Sequence, residues 1–174
     1  MNPLALWLLT VPSPAAPPDR AEVDRVLDAL HQAATDADAE RYFGLYADDA
    51  VFIGTDASER WDLPAFRAFA APHFEQAPAW TYTPERRAVS FDRKGRTAWF
   101  DEALSHPRYG EVRGSGVLVR EGHEWRVAQY VLSFPVPNEV APQVLGVIRG
   151  AGAEARLPRP IPPSSCGRRS PSAR

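Results

Sequence analysis

Two residue types are almost missing from this chain of 174 residues. Cysteine occurs once, at Cys166, so no disulfide can close within the chain and no thiolate zinc site can assemble. Lysine also occurs once, at Lys94, so nineteen of the twenty basic side chains are arginine. A planar guanidinium suits phosphate or carboxylate recognition, but these arginines are scattered, which fits the codon usage of a G+C-rich genome better than a binding patch. No nucleophile elbow, phosphate loop, dinucleotide fingerprint or metal-ligand spacing can be read anywhere, so no cofactor and no metal are expected. The net charge of −2 gives no electrostatic reason to expect nucleic acid. The longest apolar run, Leu4–Val11, is too short to span a bilayer, so no membrane partner is expected either.

What is present is an ordinary globular composition, 44% hydrophobic and 24% charged, at a length that suits one domain. Residues 1–18 read as an apolar, proline-rich extension. Leu4–Val11 has the length of a signal-peptide core, and Ser13 and Ala15 are placed as a cleavage site, but no basic residue precedes the run. Export and a cytoplasmic extension both remain open. Residues 151–174 are rich in proline, serine and arginine without apolar periodicity, and read as a disordered tail.

Residues 19–150 carry regular patterning. Val23, Val26, Leu27 and Leu30 form a helical stripe over about residues 19–36. Asp36 or Asp38 can cap a shorter helix with Tyr42, Phe43, Leu45 and Tyr46. "AVFIGT" reads as a strand. Asp62 can cap a third helix, with Leu63 and Pro64 in its first turn and Phe66, Phe69, Ala70, His73 and Phe74 on one face. From Trp80 the period becomes that of strands. "WTYTPERRAVSFD", "RTAWFDEALSH", "EVRGSGVLVR" and "WRVAQYVLSF" are joined by turns about a dozen residues apart, which makes an antiparallel meander. "PNEVAPQVLGVIRG" reads as a short helix with Asn138 as candidate cap. Helices followed by strands indicate an α+β fold, and a twisted sheet with helices at one end leaves a cone-shaped cavity.

Several stretches carry a resemblance: "RYFGLYADDAVFIGTD", "DLPAFRAFAAPHF", "TAWFDEAL" and "RGSGVLVREGHEWRVAQYVLSFPVPN". In order and spacing, over about residues 19–140, the chain resembles the NTF2-like superfamily and within it the SnoaL-like branch. The resemblance implies a cone of curved antiparallel or mixed sheet packed on N-terminal helices, with an internal cavity. It also implies a homodimer through the sheet's outer face. The superfamily hosts isomerases, cyclases, dehydratases and silent association modules on one scaffold. Its catalytic members usually place Asp, Tyr or His on the inner wall, and other branches carry histidines where this chain has Gln129 and Val131.

The candidate site residues follow from this frame. Asp101 and Glu102 point to opposite faces of one strand. Alignment with relatives turns Trp99 and Asp101 inward, whereas hydrophobicity alone turns Phe100 and Leu104 inward. In the first case Asp101 is the candidate acid or base, paired with Arg113 or Arg126 if its role is structural. Tyr46 and Tyr130 are candidate hydrogen-bond donors to a developing oxyanion. Gln129 and Ser133 share the parity of Trp125 and would orient a polar ligand. Phe52, Trp61 and Trp99 would line the cavity, and Asp56 with Trp61 would guard its mouth. Three functional readings stand at this point: a binder of a small apolar or cyclic molecule, a cofactor-independent isomerase, cyclase or dehydratase using Asp101, and an association module.

Overall fold

The computed structural model describes residues 18–152, so the readings of the N-terminal extension and of most of the tail fall outside the described residues. The chain divides into two units at Pro135. The first holds α1 (Pro18–Thr35), α2 (Ala39–Gly44), β1 (Tyr46–Ile53), β2 (Arg60–Asp62), α3 (Leu63–Ala70), a 3-10 turn (Ala71–Glu75), β3 (Thr83–Phe91), β4 (Thr97–His106), β5 (Gly110–Glu121) and β6 (Glu124–Ser133). The second holds α4 (Ala141–Gly152), which begins three residues beyond Asn138. No described helix is long and apolar enough to cross a membrane.

The stripe read from the sequence is the buried face of α1: Val23 and Leu27 are fully buried, and Leu30 nearly so. Each such side chain contributes about 1.5–3 kcal/mol relative to an exposed position. Asp38 caps α2 by accepting from the Arg41 amide at 3.0 Å, and Asp62 caps α3 by accepting from the Ala65 amide at 2.9 Å. Neither Tyr46 nor Trp61 is helical. Tyr46 opens β1, and Trp61 sits in the short strand β2.

The six strands form one sheet in the order β2-β1-β6-β5-β4-β3, consistent with an α+β cone. The pairs β3-β4, β4-β5 and β5-β6 are the antiparallel meander, while β1 lies parallel to β6 and makes the sheet mixed. One row of partners crosses all six strands: Trp61, Phe52, Tyr130, Gly116, Phe100 and Val89. This row faces the helices.

Two features decide which side chains face inward. On β4, Ala98, Phe100, Glu102 and Leu104 are buried, while Trp99 is 48% exposed and Asp101 is exposed. The expectation that Trp99 and Asp101 look inward is therefore corrected, because the apolar parity of the strand sets its facing. On β6, Leu118 pairs with Val127 but Val117 pairs with Gln129, so Ala128 is an extra residue. That bulge flips the alternation. Trp125 and Val127 are buried before it and Tyr130 after it, and Gln129 and Ser133 lose the parity of Trp125.

Candidate functional site

A cavity of about 520 Å³ opens between the inner face of the sheet, α1, α2 and α3. Its walls are aromatic: Tyr42, Phe52, Trp61, Phe66, Trp80 and Tyr130. Phe52 stacks on Phe66 at 4.0 Å between ring centroids, and lies nearly parallel to Tyr130 at 5.9 Å. The more exposed rim includes Thr55, Glu59, Tyr82, His106, Arg108 and Tyr109. Stacked rings at this spacing hold one another in place, so the walls are preformed.

The buried end is polar. His31, on α1, borders the cavity and meets Glu102 on β4 with Nε2 and Oε1 2.8 Å apart. The Tyr130 hydroxyl donates to the same oxygen, also at 2.8 Å. Arg87 on β3 donates through Nε to Oε2 at 2.8 Å, and its Nη1 reaches Asp28 at 2.9 Å and Asp24 at 3.3 Å on α1. The Glu102 side chain is fully buried and that of Arg87 is 8% exposed, so this is an interior ion-pair network tying the sheet to α1. Gly114, the β5 partner of Glu102, makes it possible. A Cβ there would run into the Tyr130 hydroxyl and approach Glu102 Cγ at 2.9 Å. At the second glycine, Gly116, a Cβ would collide with the Gln129 carbonyl at the bulge. Both glycines therefore mark close approach.

Ionisation follows the packing. Burial pushes the Glu102 carboxyl upward, but the hydrogen bond and charge of His31 and the charge of Arg87 outweigh it and hold it below the usual carboxylate range. The Tyr130 hydroxyl is raised well above the ordinary tyrosine value, by burial first and then by the Glu102 charge. Burial also raises Tyr42 and Tyr46, whose hydroxyls are 3.0 Å apart. Groups whose folded pKa is raised stabilise the fold fully below the unfolded value of about 10, and lose that contribution as pH rises toward the folded value. In an absorbance titration, Tyr42, Tyr46 and Tyr130, three of the five tyrosines, should ionise only as the protein unfolds in alkali.

Of the residues singled out from the sequence, Phe52, Trp61 and Tyr130 line the cavity. Tyr46 is buried behind the wall against Tyr42. Asp56 is not in the lining; it holds the turn beside the mouth, accepting from the Ser58 amide at 2.9 Å, while its neighbours Thr55 and Glu59 reach the rim. Asp101 and Trp99 lie on the opposite face of the sheet, with Asp101 between Ala88 and Ser115 rather than beside Arg113 or Arg126. Gln129 and Ser133 also fall outside the lining, for the bulge reason given above. From the sequence, Glu102 is weighed against Asp101 and set aside, and His31 and Arg87 are given no role. The available signal was two ionisable residues on apolar faces: His31 four residues after Leu27, and Glu102 between Phe100 and Leu104. Three of the four histidines, His31, His73 and His106, border this one cavity despite lying on separate elements. No cluster of metal ligands occurs among the described residues.

The sheet wrapped around a helix-covered cavity is the NTF2-like arrangement with a cystatin-like fold. Structural similarity bears this out. An NTF2-like protein of unknown function from Pseudomonas putida matches with a TM-score of 0.56 at 19% identity, over 69% of this chain and 89% of that one. A protein of unknown function from Mycobacterium tuberculosis matches at 0.56 and 17% identity, over 81% and 95%. An NTF2-like protein with a cystatin-like fold from Novosphingobium aromaticivorans matches at 0.54 and 15%, over 73% and 88%. Within that class, residues 23–137 match the SnoaL-like domain, and the chain belongs to that family. No curated protein matches it.

Proposed function

We propose that this SnoaL-like protein binds a small, mainly apolar, ring-bearing molecule in the 520 Å³ cavity, and does so as a homodimer. The observation that carries the binding reading is the cavity itself: its volume is in the range of small-molecule sites, its walls are preformed aromatic rings, and its polar groups converge at one buried end. Native mass spectrometry of the protein purified from its own host tests it. The expected result is a retained small molecule, lost in Ala79→Trp, which fills the cavity from its rim. A protein that carries nothing from its host and binds no aromatic probe contradicts the reading.

The dimer is supported by the outer face of the sheet. Val51, Gln129, Val117, Trp99 and Ser90 form one row across it, and Ile53, Val131, Ser115, Asp101 and Ala88 the next. Trp99, 48% exposed in the first row between Val117 and Ser90, is the natural anchor. Trp99→Glu should weaken self-association by about 2 kcal/mol or more, roughly thirtyfold in Kd. Sedimentation across a concentration series reads that shift; an unchanged equilibrium rules out this face.

A further inference from the structure

We propose that the ligand is an aromatic carboxylic acid, bound with its ring inside the cavity and its carboxylate at the mouth, where Arg108 and the hydroxyls of Tyr82 and Tyr109 hold it. This rests on the cavity being the ligand site and names the polar end of its occupant. The orientation follows from where donors are left over. At the buried end the Tyr130 hydroxyl is committed to Glu102, the Tyr42 hydroxyl pairs with that of Tyr46, and Arg87 is not part of the lining. The mouth is different. Arg108 belongs to the lining, and its guanidinium has no carboxylate partner among the described residues. Tyr82 and Tyr109 line the same mouth, and neither hydroxyl has a hydrogen-bond partner among those residues.

The turn between β4 and β5 presents these donors in fixed positions. His106 Nδ1 accepts from the backbone amides of Arg108 at 3.1 Å and Tyr109 at 3.2 Å, which pins the turn. The His106 ring stacks on Tyr109 at 4.6 Å between centroids, and Tyr82 packs against it at 5.0 Å. The Arg108 guanidinium lies over the Tyr109 ring at 5.4 Å. A cation resting on a ring face keeps its N–H edge free, and that planar fork matches the two oxygens of a carboxylate. Burial, then Tyr109 and Glu59, raises the Tyr82 hydroxyl above the ordinary tyrosine value, so at neutral pH it is a donor. Glu59 is the one carboxylate of the lining, and its Oε2 accepts from the Asp56 amide at 3.1 Å. Its charge opposes a doubly charged phosphate more than a singly charged carboxylate. The flat walls of Phe52, Phe66 and Tyr130 then favour a flat ring behind the acid group.

Two probes that share one ring and differ in charge test it: 4-nitrobenzoate and the neutral 4-nitrobenzamide. Binding is read at neutral pH by quenching of tryptophan fluorescence. The wild-type protein should bind the benzoate about tenfold more tightly than the amide, as expected for a charge-assisted hydrogen-bonded pair. Arg108→Gln should abolish that preference by weakening the benzoate alone. Arg108→Lys should keep only part of it, because an ammonium lacks the fork. Arg108 is exposed on a turn, so neither substitution threatens the fold. By NMR, the Arg108 Nε–H signal should move with the benzoate and not with the amide, while the indole signals of Trp61 and Trp80 move with both. Equal binding of the two probes by the wild type, a loss in Arg108→Gln that strikes both alike, or tighter binding of 4-nitrophenyl phosphate than of the benzoate overturns this inference and leaves the cavity reading standing. If neither probe binds, the cavity reading fails and this inference with it.

Discussion

Replacing Glu102 by leucine should cost about 3–5 kcal/mol of folding stability, read by urea unfolding, while Asp101→Leu one position earlier should stay within about 0.5 kcal/mol. The contrast follows from facing alone. Asp101 is exposed on the outer face of its own chain, and no buried group of that chain depends on it. Glu102 is buried and accepts from His31, Tyr130 and Arg87. Leucine fills the volume but leaves three donors without an acceptor, one of them an arginine with an 8% exposed side chain. Removing one partner of a buried network is far costlier than never having buried it, and Asp24 and Asp28, which still face Arg87 Nη1, offset only part of the loss. The pH dependence has a definite sign. Because the folded carboxyl titrates below its unfolded value, its contribution is present above the ordinary glutamate range and is lost as pH falls through the folded value. Glu102→Gln should flatten that acid limb of the stability profile.

Gly114→Val should be the second severe variant, destabilising by about 3 kcal/mol, at the upper end of overpacking costs. The backbone at Gly114 has no unusual φ, so the penalty is one of space. A Cβ there meets the Tyr130 hydroxyl and Glu102 Cγ, and neither can yield without giving up a hydrogen bond in the network. The same substitution at Gly110, whose side chain would meet nothing within 4 Å, provides the comparison for β-propensity and for the strain of its positive φ of 71°. The Gly114 variant should also raise the accessibility of His31 to solvent, because Tyr130 must swing away from Glu102. Hydrogen exchange at the His31 ring carbon reads that change.

Much of the architecture was legible because it rests on local signals. The α1 stripe, the Asp62 cap and the turns of the meander all act within a few residues of themselves. The parallel pairing of β1 with β6 joins segments about 80 residues apart and leaves no local mark. The site was legible only in part. Phe52 and Tyr130 lie in the strands read from the sequence and line the cavity, as does Trp61, which lies in β2 and not in a helix. The apolar parity of Phe100 and Leu104 already pointed Glu102 inward, and alignment with distant relatives pointed the other way. At low identity a one-residue offset in a strand exchanges its faces, so the physical pattern was the better guide. Gln129 and Ser133 were misplaced for a related reason: an extra residue at Ala128 is invisible in an alternation of polar and apolar side chains. The His31–Glu102 contact joins positions 71 residues apart, and only the fold brings them together.

The ligand proposed here binds in the cavity and not on the outer face. An amide chemical-shift map of the full chain, recorded with and without 4-nitrophenol, tests it most directly. Perturbations should gather around Thr55, Ala79, Tyr130 and Leu132, with His31 the most affected residue of α1 and with Trp99 and Asp101 unmoved. Shifts centred on Trp99 and Asp101, or none anywhere at saturating probe, would contradict it.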